Sequence, residues 1–226
     1  MLFFKDFRGD FFLRLVLSRI PAIFFALGLH EWIHAFTAVK LGDETAKKIG
    51  RYTANPFKHI DPVGMVIFFL YGFGWSRPIP INPVSLKSRT KDIIIISLSG
   101  PVFSLGIALI AGFIFYGFGF YKYSFFFNQS ADRANFLVMY LADLLGFFME
   151  INFVIFIFNF IPVNPLDGSK IWMILLSPKN MEKEIKFQVY GILGLIAFII
   201  LGGANFLVKP VIDIFRTTID ILSKSF

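Results

Sequence analysis

Four stretches of this sequence are apolar over the roughly 20 residues that a helix needs to cross a bilayer: residues 20–39, 93–118, 136–161 and 187–208. In hydrocarbon every backbone N–H and C=O must find its partner inside the protein, so such stretches fold as helices. Composition agrees. Of the 226 residues 56% are hydrophobic and 32 are Phe, more apolar surface than a soluble domain of this size covers. The expected fold is an all-α polytopic membrane protein, one membrane-embedded domain over residues 1–226 with about four transmembrane helices. Residues 1–19 alternate charge with Phe and Leu and read as interfacial, as does "VIDIFRTTIDIL" after Pro210. A further apolar stretch, residues 63–74, is Gly-flanked and too short to span as a helix, so a re-entrant hairpin or loop is expected. Such backbone is tolerated at membrane depth only where protein buries it or it lines a wet cavity. A cavity is therefore expected beside the first helix.

The net charge of +7 does not point to nucleic acid, because Lys and Arg are spread over the polar connections without a basic arm or stripe. They number 13 in the loops 40–92 and 162–186 against 9 on the other side of the spans. The positive-inside rule then places those two loops in the cytoplasm of a cell or inner membrane. The charged N-terminal stretch lacks a cleavage site and is not expected to be a signal peptide. Cysteine is absent, so any metal must be held by His, Asp or Glu.

The first span contains "HEWIH", residues 30–34. Ionisable groups are expensive in hydrocarbon and mark function when present. His30 and His34 lie at i and i+4, on one helix face, so both imidazoles reach one ion. Glu31 projects beside the same site, where an HExxH helix carries the base that takes a proton from water. A catalytic zinc usually has three protein ligands. The best candidate for the third is Asp167 in "FNFIPVNPLDGSK", residues 158–170, where Pro162 and Pro165 break the helix. On the turn signal alone, a ligand and a solvated surface aspartate are equally good readings. Asn159 shares a face with Asn152, one heptad earlier; a site role is expected for Asn159 and an interhelical hydrogen bond for Asn152. His59, in a Pro-flanked loop, reads as structural or as part of a substrate edge. Asp143 and Glu150 in the third span have no role in this reading.

HEWIH in a membrane helix followed by NPLDG at the end of a later one resembles the site-2 protease family of intramembrane zinc metalloproteases. "GRYTANPFKHIDPVG", residues 50–64, looks like the segment that links the family's metal helix to its re-entrant element. The resemblance covers residues 28–170 and implies one Zn2+ held by His30, His34 and Asp167, with Glu31 as catalytic base. It also implies a place for Asn159 near the substrate carbonyl. Ser104 stands where many relatives have Asn, and Ser169 replaces a common second Gly. The short loop between the second and third spans leaves no room for a PDZ domain, so a minimal, core-only form is expected. The expected function is a zinc endopeptidase cutting transmembrane protein substrates in the lipid bilayer, with its active site toward the cytoplasm. The rival readings are a membrane metal-ion transporter or metal-binding module, which would carry charges along a path through several helices, and an inactive relative that only binds transmembrane segments.

Overall fold

The computed structural model describes residues 9–71, 74–124, 135–164, 166–176 and 181–203, with residues 206, 209, 210, 213 and 217 beyond them. It is an all-α membrane protein. The helices are α1 (Gly9–Lys40), α2 (Thr45–Lys48), α3 (Pro62–Tyr71), α4 (Arg89–Gly117), α5 (Phe136–Phe158), α6 (Asp167–Leu176) and α7 (Met181–Ile200). Among the described residues, three helices are long and apolar enough to cross a membrane: α1 from Phe12, α4 and α5. The fourth apolar stretch falls on α7 and the residues after it, part of which lie outside the described residues. Residues 1–8 and most of the tail after Pro210, both expected to be interfacial, also lie outside them.

Two segments differ from expectation. Residues 9–19 do not form a separate interfacial element; they continue α1, which runs unbroken for 32 residues through Pro21. The physical reason is where the charges go. Arg14 donates from Nε and Nη2 to Oδ2 of Asp143 on α5, so its charge is answered by a neighbouring helix rather than by the surface. Residues 62–71 are helical, not a hairpin. Asp61 starts this helix: its Oδ1 accepts from Val63 N at 2.9 Å and Gly64 N at 3.0 Å, and Pro62 sits at the first helical position, where a missing N–H costs nothing. The backbone then returns in extended form, touching the incoming chain through one antiparallel bridge between Ile60 and Ser76.

Helices α1, α4 and α5 pack on one another, with α6 against α4 and α3 against α1. Lipid is as apolar as Leu, so helices associate by close approach of small residues rather than by hydrophobic burial. Ala22, Ala26, Ala35 and Ala38 of α1, Ala108 and Ala111 of α4 and Ala142 of α5 are all buried. Larger side chains fill the space between: Ile23 and Leu27 with Phe147, Ile151 and Phe158 across α1 and α5, and Phe115 and Tyr116 with Met149 and Phe153 across α4 and α5. Helices α1 and α5 run parallel. Arg14 meets Asp143 in the N-terminal part of each helix, and His30 meets Asp167, which starts α6 beyond the end of α5.

Asp143 and Glu150 acquire a role from this packing. Asp143 also accepts from Ser124 Oγ at 2.7 Å. Arg19, only 4% exposed, lies 5.5 Å over the Phe147 ring and interacts with Glu150. Arg14 and Asp143 thus tie the parallel helices together well away from the histidines, and the charges of Arg19 and Glu150 attract each other across the same interface. The interhelical hydrogen bond expected of Asn152 is not formed among the described residues: Nδ2 donates to Phe148 O of its own helix at 2.8 Å.

Removing one partner of a buried ion pair strands the other. We therefore expect Asp143→Ala to destabilise the folded protein by about 3–5 kcal/mol in detergent unfolding. The double variant Arg14→Met, Asp143→Leu should recover most of the loss. An Asp143→Ala protein as stable as the parent would contradict this assignment.

Candidate metal centre

The HEWIH stretch lies in the C-terminal half of α1, beside the start of α6. His30 Nε2 stands 3.1 Å from Asp167 Oδ2, His34 Nε2 stands 2.9 Å from the same oxygen, and the two Nε2 atoms are 3.2 Å apart. All three residues are buried. They are brought from sequence positions 137 and 133 residues apart, and they form a cluster suited to holding a metal ion.

The donor chemistry of this triangle calls for a cation. His34 Nδ1 lies 2.7 Å from the carbonyl oxygen of Ile96 on α4. A carbonyl only accepts, so Nδ1 carries the proton and a neutral His34 aims the lone pair of Nε2 at a carboxylate oxygen. His30 Nδ1 is 3.1 Å from Ser104 Oγ, again leaving Nε2 for the triangle. Lone pairs converging at this distance repel unless a proton or a metal lies between them. Zinc at its ordinary bond lengths, in tetrahedral geometry, would separate such ligand atoms by roughly 3.4 Å, close to the edges observed. The residues therefore fit a zinc ion, and the outer nitrogens of both histidines are held as ligand histidines usually are.

Glycine makes the approach of α4 possible. A Cβ on Gly100 would fall 2.2 Å from His34 Nε2 and 2.6 Å from His30 Cε1. Both imidazoles lie against bare backbone. Gly28 does the same for the loop: a Cβ there would meet the Pro56 Cβ at 2.4 Å, so the stretch 55–58 rests directly on α1.

Glu31 is buried and faces the extended segment after α3. Ser76 Oγ donates to its Oε1 at 2.6 Å, and Ile79 N donates to its Oε2 at 3.1 Å. That segment is itself pinned. Arg51 donates to the carbonyl oxygens of Arg77 and Pro78, Arg77 N donates to His59 O at 2.7 Å, and Asn82 N donates to Asp43 Oδ2 at 2.6 Å. A cavity of about 70 Å³ opens between the triangle and this segment, lined by His30, Glu31, His34, Ser76, Asn159 and Asp167 among others. It has room for water, not for a folded helix.

Asn159 lines the cavity, but its amide is also engaged internally. Nδ2 donates to Ile155 O at 2.9 Å, and Oδ1 accepts from Asp167 N at 3.2 Å. With Gly168 N donating to its carbonyl at 2.7 Å, Asn159 fixes the start of α6. His59 stays outside the cavity, fully buried, with Nε2–H donating to Thr53 O at 2.7 Å. Sequence reasoning missed Ser76, Ile79, Gly100 and Lys170. The Gly-Pro pair inside the second span was the one signal available for Gly100, and the i, i+3 spacing from Asp167 the one for Lys170; Ser76 and Ile79 depend on contacts across the fold.

No protein-family model matches the chain, and no solved structure does. Among curated proteins, YwhC of Bacillus subtilis, provisionally named a zinc metalloprotease, is 33% identical over 217 residues, covering 93% of this chain and 94% of the relative. Rip2 of Mycolicibacterium smegmatis, provisionally named in the same way, is 33% identical over 91 residues, 38% of this chain and 34% of its own length.

Two outcomes follow from the geometry. Gly100→Ala should displace both imidazoles and abolish stoichiometric metal binding while helical content by circular dichroism stays at the parent level; metal analysis showing full occupancy would refute the close contact. The second concerns pH. Burial pushes the His59 imidazole below its ordinary value, outweighing the Thr53 carbonyl and the Glu31 carboxylate, which favour its charged form. The unfolded chain then takes up the proton first, so the stability from His59 is complete above about pH 6.5 and is lost as pH falls below it. Limited proteolysis of the 51–60 loop should accelerate between pH 7.5 and pH 5 in the parent. In His59→Gln the acceleration should disappear, and an unchanged pH response in that variant would rule His59 out.

Proposed function

This chain belongs to the zinc metalloprotease family represented by YwhC, and from that premise we propose that it is an intramembrane endopeptidase of the site-2 type. It hydrolyses peptide bonds in transmembrane segments of other proteins. The observation that carries the reading is the buried triangle of His30, His34 and Asp167, in which the two histidines and Glu31 lie inside a helix apolar enough to span a membrane and Asp167 reaches them from the start of α6.

His30, His34 and Asp167 would hold the zinc ion, which would supply Lewis acidity for a water molecule and a peptide carbonyl. The rest falls to the chain. Glu31 takes the proton of the attacking water and returns it to the leaving amine. Ser76 and Ile79 hold its carboxylate in place, each using one lone pair and leaving others to face the cavity. Asn159 sets the position of Asp167 through its backbone N–H. The cavity is too small for a helix, so the substrate must unwind before it enters. An extended substrate then has the segment 74–82 to pair with, rather than the helical residues 62–71. Pro78 and Pro80 lack N–H groups, and the Pro78 carbonyl already accepts from Arg51, so that edge of the segment presents acceptors only. The excess of Lys and Arg in the loops 40–92 and 162–186 supports a cytoplasmic active site.

Glu31→Gln is near-isosteric and still hydrogen-bonds water, yet it cannot accept a proton. We expect it to retain one zinc per chain and to lose cleavage of single-span membrane proteins by at least about 10²–10⁴-fold. Metal content and cleavage are measured on the same purified protein. Undiminished cleavage would end the assigned chemistry, and joint loss of zinc and activity would make Glu31 a ligand or a fold determinant.

A further inference from the structure

Asp167 presents two different oxygens to two different groups. Oδ2 faces the imidazoles of His30 and His34. Oδ1 accepts from Nζ of Lys170 at 3.1 Å, one turn along α6. Lys170 lines the same cavity and its side chain is 32% exposed, whereas that of Asp167 is 7% exposed. No other cationic side chain lines that cavity among the described residues.

A carboxylate can hold a metal ion through one oxygen or through both. The choice decides the number of positions left. Two imidazoles and one oxygen make three ligands, and a fourth tetrahedral position remains for water or substrate. If both oxygens bind, the carboxylate crowds that position. An ammonium fixed on Oδ1 opposes the second mode twice over: it takes up one of that oxygen's two lone pairs, and its charge repels a cation approaching from that side. The i, i+3 spacing makes the contact local to α6, whose start is fixed in turn by Asn159.

We propose that Lys170 is a positioning residue that holds Asp167 in one-oxygen coordination and so keeps the fourth metal position open. This rests on the zinc reading given above. Lys170 need not touch the substrate; it acts through Asp167.

The test uses the full chain in detergent, stripped of metal and loaded with Co2+, whose visible absorption reports coordination number. The parent should give the intense bands of four-coordinate cobalt at one ion per chain. Lys170→Met, which keeps the unbranched stem but not the donor or charge, should give weaker bands of higher coordination. Zinc-loaded Lys170→Met should lose cleavage by about 10–100-fold, the usual cost of removing a group that orients a ligand. Lys170→Arg should restore the four-coordinate spectrum. A Lys170→Met spectrum identical to the parent's overturns the proposal, as does a Lys170→Arg spectrum as altered as that of Lys170→Met. Asp167→Ala separates the two levels of inference: if it keeps the parent spectrum, Asp167 is no ligand, and the zinc reading fails independently of Lys170.

Discussion

The contact of Gly100 with two imidazoles is the constraint on which the rest of the site depends. Helix α4 can lie against α1 at the depth of His30 and His34 only because that position has no side chain. The approach brings Ile96 O and Ser104 Oγ to the outer nitrogens of the two rings. With those nitrogens occupied, both inner nitrogens turn toward Asp167. A buried polar group without a partner is costly in any protein interior and more so where no water competes. The three residues therefore form a unit in which removing one member leaves the others unsatisfied.

The extended segment 74–82 is held in an unusual way. It gains almost nothing from a sheet, having one bridge to Ile60. Side chains pin it instead: Arg51 to two of its carbonyls, Glu31 to Ser76 and Ile79, Asp43 to Asn82. Alternate prolines keep the chain extended and remove donors that would otherwise be stranded. The anchors Glu31 and Asp43 lie within and just beyond the same helix that carries the histidines. The segment and the two histidines thus share α1 as a support, which fixes the width of the cavity between them.

Charge is distributed along α1 by function. Arg14 and Arg19 are answered by acids of α5 at one end, and His30, Glu31 and His34 by α4, by the 74–82 segment and by Asp167 at the other. Small residues and aliphatic side chains fill the stretch between. Ionic contacts at one end and polar contacts at the other fix the register of α1 against its neighbours, since an apolar interface in lipid tolerates sliding.

The sequence by itself determined that the chain is helical and enters a membrane, because runs of apolar residues of bilayer length admit no other backbone. It also determined that His30 and His34 share a face and that Glu31 stands beside them, since helical periodicity fixes neighbours three and four residues away. Asp167 was legible only as an acidic turn, and its meaning came from resemblance. The arginines at 14 and 19 looked interfacial because their partners, Asp143 and Glu150, are more than 120 residues on. The short apolar stretch looked like a hairpin because nothing local reveals that Asp61 starts a helix there. What only the tertiary structure decided is which oxygen of Asp167 faces the histidines, what holds Glu31, and why residue 100 has no side chain. Each is a contact between segments distant in the chain, set by how α1, α4 and α5 pack, and no local periodicity encodes it.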